Sequence, residues 1–287
     1  MSEAPSTLAH VGMTRRPRRT ALAVASGALV AGLVSGCSLP APAAQAPATP
    51  SVTRSHVPVP VSPSGAVEPE TQAPAPVGTA RAGLARLAVK GRAPKTGYAR
   101  AEFGPAWTDD QTAAWGRNGL STREDILSRD LTDVTCKVRG TSPRVPPCVV
   151  QSGTLHDPYT GSVVEFVRGN KTSALVPIDH VVSLGDGWQK GAQQLSRAER
   201  IAFSNDPLNL IASTRAPNSA KSDSDAASWL VPNKSFRCAY VARQVAVKLK
   251  YRLWVTGAEK DAISRVLEKC PDQPLPTESD AVRRTYG

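Results

Sequence analysis

Apolar residues change their spacing along the chain, and each change marks an element. Ile126, Leu127 and Leu131 follow Ser121-Thr122-Arg123-Glu124-Asp125 at helical intervals, with a cap residue and two first-turn acids ahead of them. Residues 148–150 and 162–167 are instead short, apolar and β-branched. Between them, Gly153-Thr154-Leu155-His156-Asp157-Pro158-Tyr159-Thr160-Gly161 has the turn residues of a hairpin. A third strand is predicted over 175–182 and a short one over 208–213, with short helices over 185–192 and 196–203. Ser196 and Glu199 stand at capping-box spacing. Asn218 opens or sits in a helical turn that 225–230 continues, and 236–254 and 259–269 form two helices broken at Thr256-Gly257. Ahead of these, 84–89 reads as an amphipathic turn and 91–107 as a packed, breaker-rich loop with aromatic anchors. Strands, short helices, a further strand and more helices imply an α+β fold in one domain.

The first 80 residues follow different rules. Arg15, Arg16, Arg18 and Arg19 precede the uncharged stretch 21–34, which is too short and too rich in Ala and Gly for a spanning helix. Residues 1–36 read as a signal peptide of lipoprotein type. Val34-Ser35-Gly36-Cys37 looks like a lipobox, where cleavage leaves a lipid-bearing Cys37. The alternative is an ordinary secretory cut shortly beyond it. Residues 37–80 read as a disordered Pro/Ala-rich tether: ten of the 39 residues from 40 to 78 are proline, a density that excludes helix and sheet. Residues 81–287 remain for the folded domain, long enough for a sizeable core. Loss of 1–36 removes four arginines and Glu3, so the formal charge falls from +11 to +8. That surplus suits nucleic acid, an anionic membrane or a wall polymer, but many exported proteins are basic without such a partner.

Candidate chemistry gathers in the second half. Asp179 and His180 adjoin at the end of an apolar run, followed by Asn209, Asn218 and Lys221. Phosphodiester hydrolysis needs a proton acceptor for the attacking water and positive charge on the leaving oxygen. A neutral imidazole suits the first task. His10 lies in the signal and His56 in the tether, which leaves His180 or His156. Mg²⁺ keeps several waters and takes few protein oxygens, which Asp179 and Asn218 could supply; Mn²⁺ is the natural substitute. Consecutive strand residues face opposite ways, so Asp179 and His180 share a site only if the strand ends or bends there. Lys221, three residues after Asn218, could neutralise a phosphate. Each residue has an ordinary alternative: an Asp-His pair is often structural, and His156 sits in a turn. Glu165 and Arg123 are more simply read as surface charges, while Arg168 and Lys171 could form a basic rim.

Asp179-His180-Val181-Val182, Asn209-Leu210, and Asn218, Lys221 and Asp223, with Trp229 after them, resemble the His-Asn-Asn form of the HNH, or ββα-metal, nuclease motif. The resemblance is to secreted actinobacterial HNH endonucleases related to the domain of unknown function numbered 1524, and it runs from about Gly91 to Cys270. It implies an α+β domain containing a ββα-metal unit with additional helices. His180 is then the base and Asp179 and Asn218 the metal ligands, while Asn209 fastens the His-bearing loop through its amide. Asp223 and Asp225 become caps or supporting carboxylates, and Trp229 a core anchor. The implied function is exported, metal-dependent hydrolysis of DNA in preference to RNA, with little sequence preference because no recognition module is visible. The protein would be held by lipid on the outer face of the cytoplasmic membrane, or secreted.

A surface-anchored protein of the same fold that binds a polyanion or a partner without cutting it is the alternative, and it would not need the complete Asp179, His180, Asn209 and Asn218 set. Wall hydrolysis suits the location, but this spacing does not resemble the metal ligands of wall peptidases. If Cys37 is acylated, Cys136, Cys148, Cys238 and Cys270 form an even set, and export favours disulfides. The favoured pairs are Cys136 with Cys148, closing a Pro-rich loop, and Cys238 with Cys270, clamping two C-terminal helices. Members of the resembled family usually carry a cysteine near the start of the first helix, where this chain has Leu120, so their pattern does not transfer directly. No Cys-x-x-Cys spacing supports zinc.

Overall fold

A computed structural model describes residues 78–138 and 148–282. The chain divides into two units, Met1–Val67 and Glu68–Gly287, and every described residue belongs to the second. Cys37, the signal and nearly all of the tether lie outside the described residues. In chain order come α1 (Ala80–Arg86), α2 (Thr122–Asp130), β1 (Leu131–Val138), β2 (Cys148–His156), β3 (Val163–Val167), β4 (Ile178–His180), α3 (Leu184–Gln189), α4 (Arg197–Asn205), β5 (Leu210–Ala212), α5 (Arg215–Lys221), α6 (Arg237–Lys250), α7 (Gly257–Leu267) and α8 (Glu278–Ala281). The fold is α+β. Among the described residues, no helix is long and apolar enough to cross a membrane.

The strands form two separate antiparallel sheets, β1-β2-β3 and β4-β5. Strand β1 has no clean alternation of apolar and polar residues, and its register against β2 is broken between Thr132 and Thr135, where Asp133 adopts φ 51°. A bulge of this kind hides a strand from pattern reading. Gly153 lies opposite the same place; a Cβ there would come within 3.0 Å of the Thr132 carbonyl oxygen. The third strand expected over 175–182 shrinks to three residues and does not join the first sheet.

That short strand lies at the centre of the core. Leu210 and Ala212 of β5, with Ile178 of β4, pack against α2 and the three-stranded sheet through Ile126, Leu127, Val150 and Phe166. Ile211, between them, points the other way into the cluster of Val181, Tyr159, Tyr240, Val241 and Ile263. Both faces of β5 are therefore covered, which explains why Leu210, Ile211 and Ala212 are apolar without alternation. Val182 enters a third cluster with Phe103, Trp188, Phe203 and Tyr251. β4 and β5 are held from three sides.

Helix ends follow the capping residues. Ser196 and Glu199 form the capping box of α4, and the Thr256 side chain accepts from the Glu259 amide at the start of α7. The turn that continues past Asn218 does not extend to 230: α5 stops at Lys221, and Ser222 takes φ 48°. Beside α3, buried Lys190 pairs with Asp186 at 2.7 Å and with Asp225 and Glu259 at 2.6 Å. Lys248 pairs with Glu259 at 2.6 Å, and Arg92 with Asp186 and Asp225 at 2.9 and 2.7 Å. Three cations thus balance three carboxylates, the condition under which buried charge is tolerated. Disulfides join Cys136 to Cys148 and Cys238 to Cys270, the second linking α6 to the turn after α7.

Candidate functional site

Strand β4 ends at His180. Asp179 and His180 therefore escape strict strand alternation, and both line an open cleft of about 1080 Å³ together with Asn218. His180 is 7% exposed and Asp179 6%. His180 Nε2 is 2.9 Å from the Ser204 carbonyl oxygen. A carbonyl can only accept, so Nε2 carries the hydrogen and Nδ1 is left as the lone-pair nitrogen. Trp107 stacks on the imidazole at 5.7 Å and 14°. Burial pushes the His180 pKa down to about 3, against the Ser204 hydrogen bond, and the nearby Arg100 and Lys221 charges lower it further. The ring is held neutral.

Asn209, directly before β5, is fully buried. Its Oδ1 accepts from the Val182 amide at 2.9 Å, and its Nδ2 donates to the carbonyls of Val182 and Phe203, each at 3.2 Å. The Val181 amide donates to the Asn209 carbonyl at 2.8 Å. One side chain thus clamps the segment directly after His180 to the end of α4, the helix that supplies the Ser204 carbonyl.

Lys221 departs from the expectation of a phosphate contact. Its side chain is wholly buried and does not line the cleft. Nζ donates to the His180 carbonyl at 2.7 Å and to Asp179 Oδ1 at 3.2 Å, and lies 3.1 Å from Oδ2. The physical reason is the short α5, which puts Lys221 on its last residue, turned inward, and Asn218 one turn back at the cleft. Tyr159, twenty residues before Asp179, donates to Asp179 Oδ2 at 2.6 Å. Burial and the Asp179 charge keep that phenol protonated well above its ordinary range.

A carboxylate offers about four acceptor positions. Lys221 and Tyr159 take three of them on Asp179, leaving one on Oδ1 for an occupant of the cleft. Asn218 is half-buried at the cleft wall and adds an amide oxygen. Among the described residues no three His, Cys, Asp or Glu side chains gather as a metal cluster. Two hard oxygens fit a cation that keeps most of its waters, such as Mg²⁺, and do not fit zinc.

The cleft walls are basic. Arg100 and Arg215 are exposed on its rim. Arg123 also lines it but donates to the Ser173 and Val176 carbonyls at 3.0 Å, and Arg168 is held by Glu124 at 2.6 Å. Asp223 is paired with Lys95 at 2.9 Å and packs over the start of α3, where a Cβ on Gly185 would stand 2.2 Å from Asp223 Oδ2. Asp225 belongs to the buried charge network, and Trp229 packs on Tyr159 at 5.7 Å. Lys171 does not line the cleft. Glu165 accepts from Thr154 on the sheet surface, and His156 borders a different cavity with Asp157 and Arg243. Among the described histidines, His180 alone faces the basic cleft.

Sequence reading did not single out Arg100, Arg215, Ser204 or the role of Tyr159. Arg215 had a usable signal, since it precedes Asn218 by three residues on one helix. The others are brought in by tertiary contacts that carry no local pattern.

Fold and site define an α+β domain whose neutral histidine, carboxylate and carboxamide share an arginine-rimmed cleft. Residues 121–266 match the family described as GmrSD restriction endonucleases, C-terminal domain, and the chain belongs to that family. The matched segment contains Asp179, His180, Asn209, Asn218 and Lys221. A protein of the fungus Arthroderma benhamiae, described as an uncharacterized secreted protein, is 36% identical over 194 residues, covering 67% of this chain and 85% of its own length. No solved structure matches the chain.

Proposed function

We propose that this chain is an exported, metal-dependent endonuclease of the HNH type that hydrolyses phosphodiester bonds in DNA. Membership in a restriction-endonuclease family supports nuclease activity, and the order of antiparallel β4 and β5 followed by α5 supports the ββα-metal reading. The observation that carries it is His180: a neutral ring in a basic cleft, with Nε2 tied to the Ser204 carbonyl and its other nitrogen left to accept.

Arg100 and Arg215 draw the polyanion to the rim. His180 Nδ1 accepts the proton of the attacking water, and the Ser204 carbonyl steadies the imidazolium that results. Asn209 fixes the position of that ring by clamping the backbone after it. Asp179 and Asn218 would hold Mg²⁺ or Mn²⁺, which when bound supplies positive charge for the leaving oxygen. Lys221 and Tyr159 orient Asp179 and keep its charge compensated.

The disulfides and the secreted relative support export. Lipidation of Cys37 would place the domain on the outer face of the cytoplasmic membrane, and Cys37→Ser would then release it to the medium or leave it unprocessed. Incubation of the mature chain with supercoiled plasmid tests the activity. Relaxed and linear products are expected with Mg²⁺ or Mn²⁺ and absent with EDTA; intact plasmid under all three conditions contradicts the proposal.

A further inference from the structure

Behind Trp107 the cleft continues into a second cavity of about 260 Å³, lined by Phe103, Pro105, Ala106, Trp107 and Leu184 and also reached by His180 and Arg100. Arg100, Trp107, His180 and Leu184 belong to both cavities. The first is walled by arginines and polar groups. The second is largely aromatic and aliphatic. Its polar side chains are few: Ser204 Oγ is 2.9 Å from the Phe103 carbonyl oxygen, Arg100 is charged, and His180 keeps only Nδ1 free.

We infer that this second cavity receives an unpaired base of the substrate strand, next to the phosphate held at His180, and that the protein therefore cuts single-stranded nucleic acid faster than duplex. The inference rests on the nuclease reading of the cleft. A strand with its phosphate near Arg100 and His180 carries a base within one nucleotide of Trp107. A base is a flat ring system with apolar faces, and aromatic side chains are its usual platform. The cavity is smaller than the roughly 300–1,000 Å³ of a site for a drug-sized ligand, so it takes one ring system and not a helical segment. A paired base would first have to leave its stack, and that cost is lowest when the strand is already single. Apart from His180 Nδ1, which the nuclease reading gives to the attacking water, its lining offers stacking in place of hydrogen-bond readout, and base identity should matter little.

Two fluorescent DNA probes of one sequence, single-stranded and fully paired, test this with the mature chain and Mg²⁺. Ala106→Phe and Ala101→Phe are the variants, since both alanines line the cavity and are exposed, so the added rings fill it without disturbing the core. The single strand should be cut at least tenfold faster than the duplex, and each variant should lose roughly tenfold on the single strand, the scale of one stacked base. Equal rates on the two probes, or variants as fast as wild type, overturn the inference and leave the nuclease reading standing. If neither probe is cut, the nuclease reading fails. The base site is then judged by tryptophan-fluorescence titration with the single strand: roughly tenfold weaker binding by both variants supports it, and unchanged binding overturns it.

Discussion

Lys221 is fully buried and directs its ammonium at the carboxylate of Asp179, 3.1 Å from Oδ2. The same ammonium donates to the His180 carbonyl, so one cation on α5 holds both residues at the end of β4. Removing one partner of a buried pair strands the other charge, at a cost of about 3–5 kcal/mol. Lys221→Met should therefore lower unfolding free energy by that amount in urea titration, and adding Asp179→Asn should recover part of it. A loss below about 1 kcal/mol would show that the pair is not a structural tie.

Asn209→Ala removes three hydrogen bonds at once, two of them to Val182. Unsatisfied buried groups cost about 1–3 kcal/mol. The diagnostic effect is kinetic: with the His180 segment released, kcat should fall at least tenfold while KM changes little, because Asn209 is buried and does not line the cleft. A rise in KM at unchanged kcat would place Asn209 in binding instead.

If His180 is the base, its depressed pKa places the acid limb of activity well below pH 6.5. The lowered value means the base stays unprotonated as pH falls, so at saturating metal kcat/KM should stay nearly level from pH 7 to pH 5. A histidine at its ordinary value would lose roughly thirtyfold over that range. The same shift bears on folding. Between about 3 and 6.5 the unfolded chain takes up a proton on this residue that the folded chain refuses, so its contribution is fully present above 6.5. It is lost as pH falls through that window, by at most about 1.4 kcal/mol per unit. A kcat/KM profile falling with unit slope from pH 6.5 downward would contradict the assignment.

Opening the Cys238–Cys270 link, which closes a separation of 32 residues, should cost about 3–4 kcal/mol by loop-closure entropy. Unreduced mass spectrometry should find no free thiol among Cys136, Cys148, Cys238 and Cys270. Free thiols on these residues would contradict both links.

What could be read from the chain depended on whether the cause was local. Ser196 with Glu199 and Thr256 at the start of α7 are local caps, and their helices appear within a residue or two of the expected places. The helix from Thr122 also appears, but Ser121 makes no side-chain cap hydrogen bond and Thr122 Oγ1 turns to Thr108 and Asn205. Strand β1 was hidden because the break at Asp133 destroys its alternation. The 84–89 turn lies instead at Ala80–Arg86, where the Thr79 side chain accepts from the Ala82 amide. In the site, Asp179, His180, Asn209 and Asn218 were legible as residue types in order, and all converge around the end of β4. The inward orientation of Lys221 was not, since it follows from where α5 stops. Nor was the stacking of Trp107 on His180, which joins residues 73 positions apart with no intervening pattern.

The central claim is that His180 accepts the proton of the attacking water. Initial rates of plasmid cleavage by wild type and His180→Ala, at saturating Mg²⁺ and matched DNA occupancy, test it most directly, with circular dichroism verifying the fold of the variant. Cleavage should fall by 10²-fold or more while DNA affinity changes less than threefold. A variant that cuts as fast as wild type would contradict the claim.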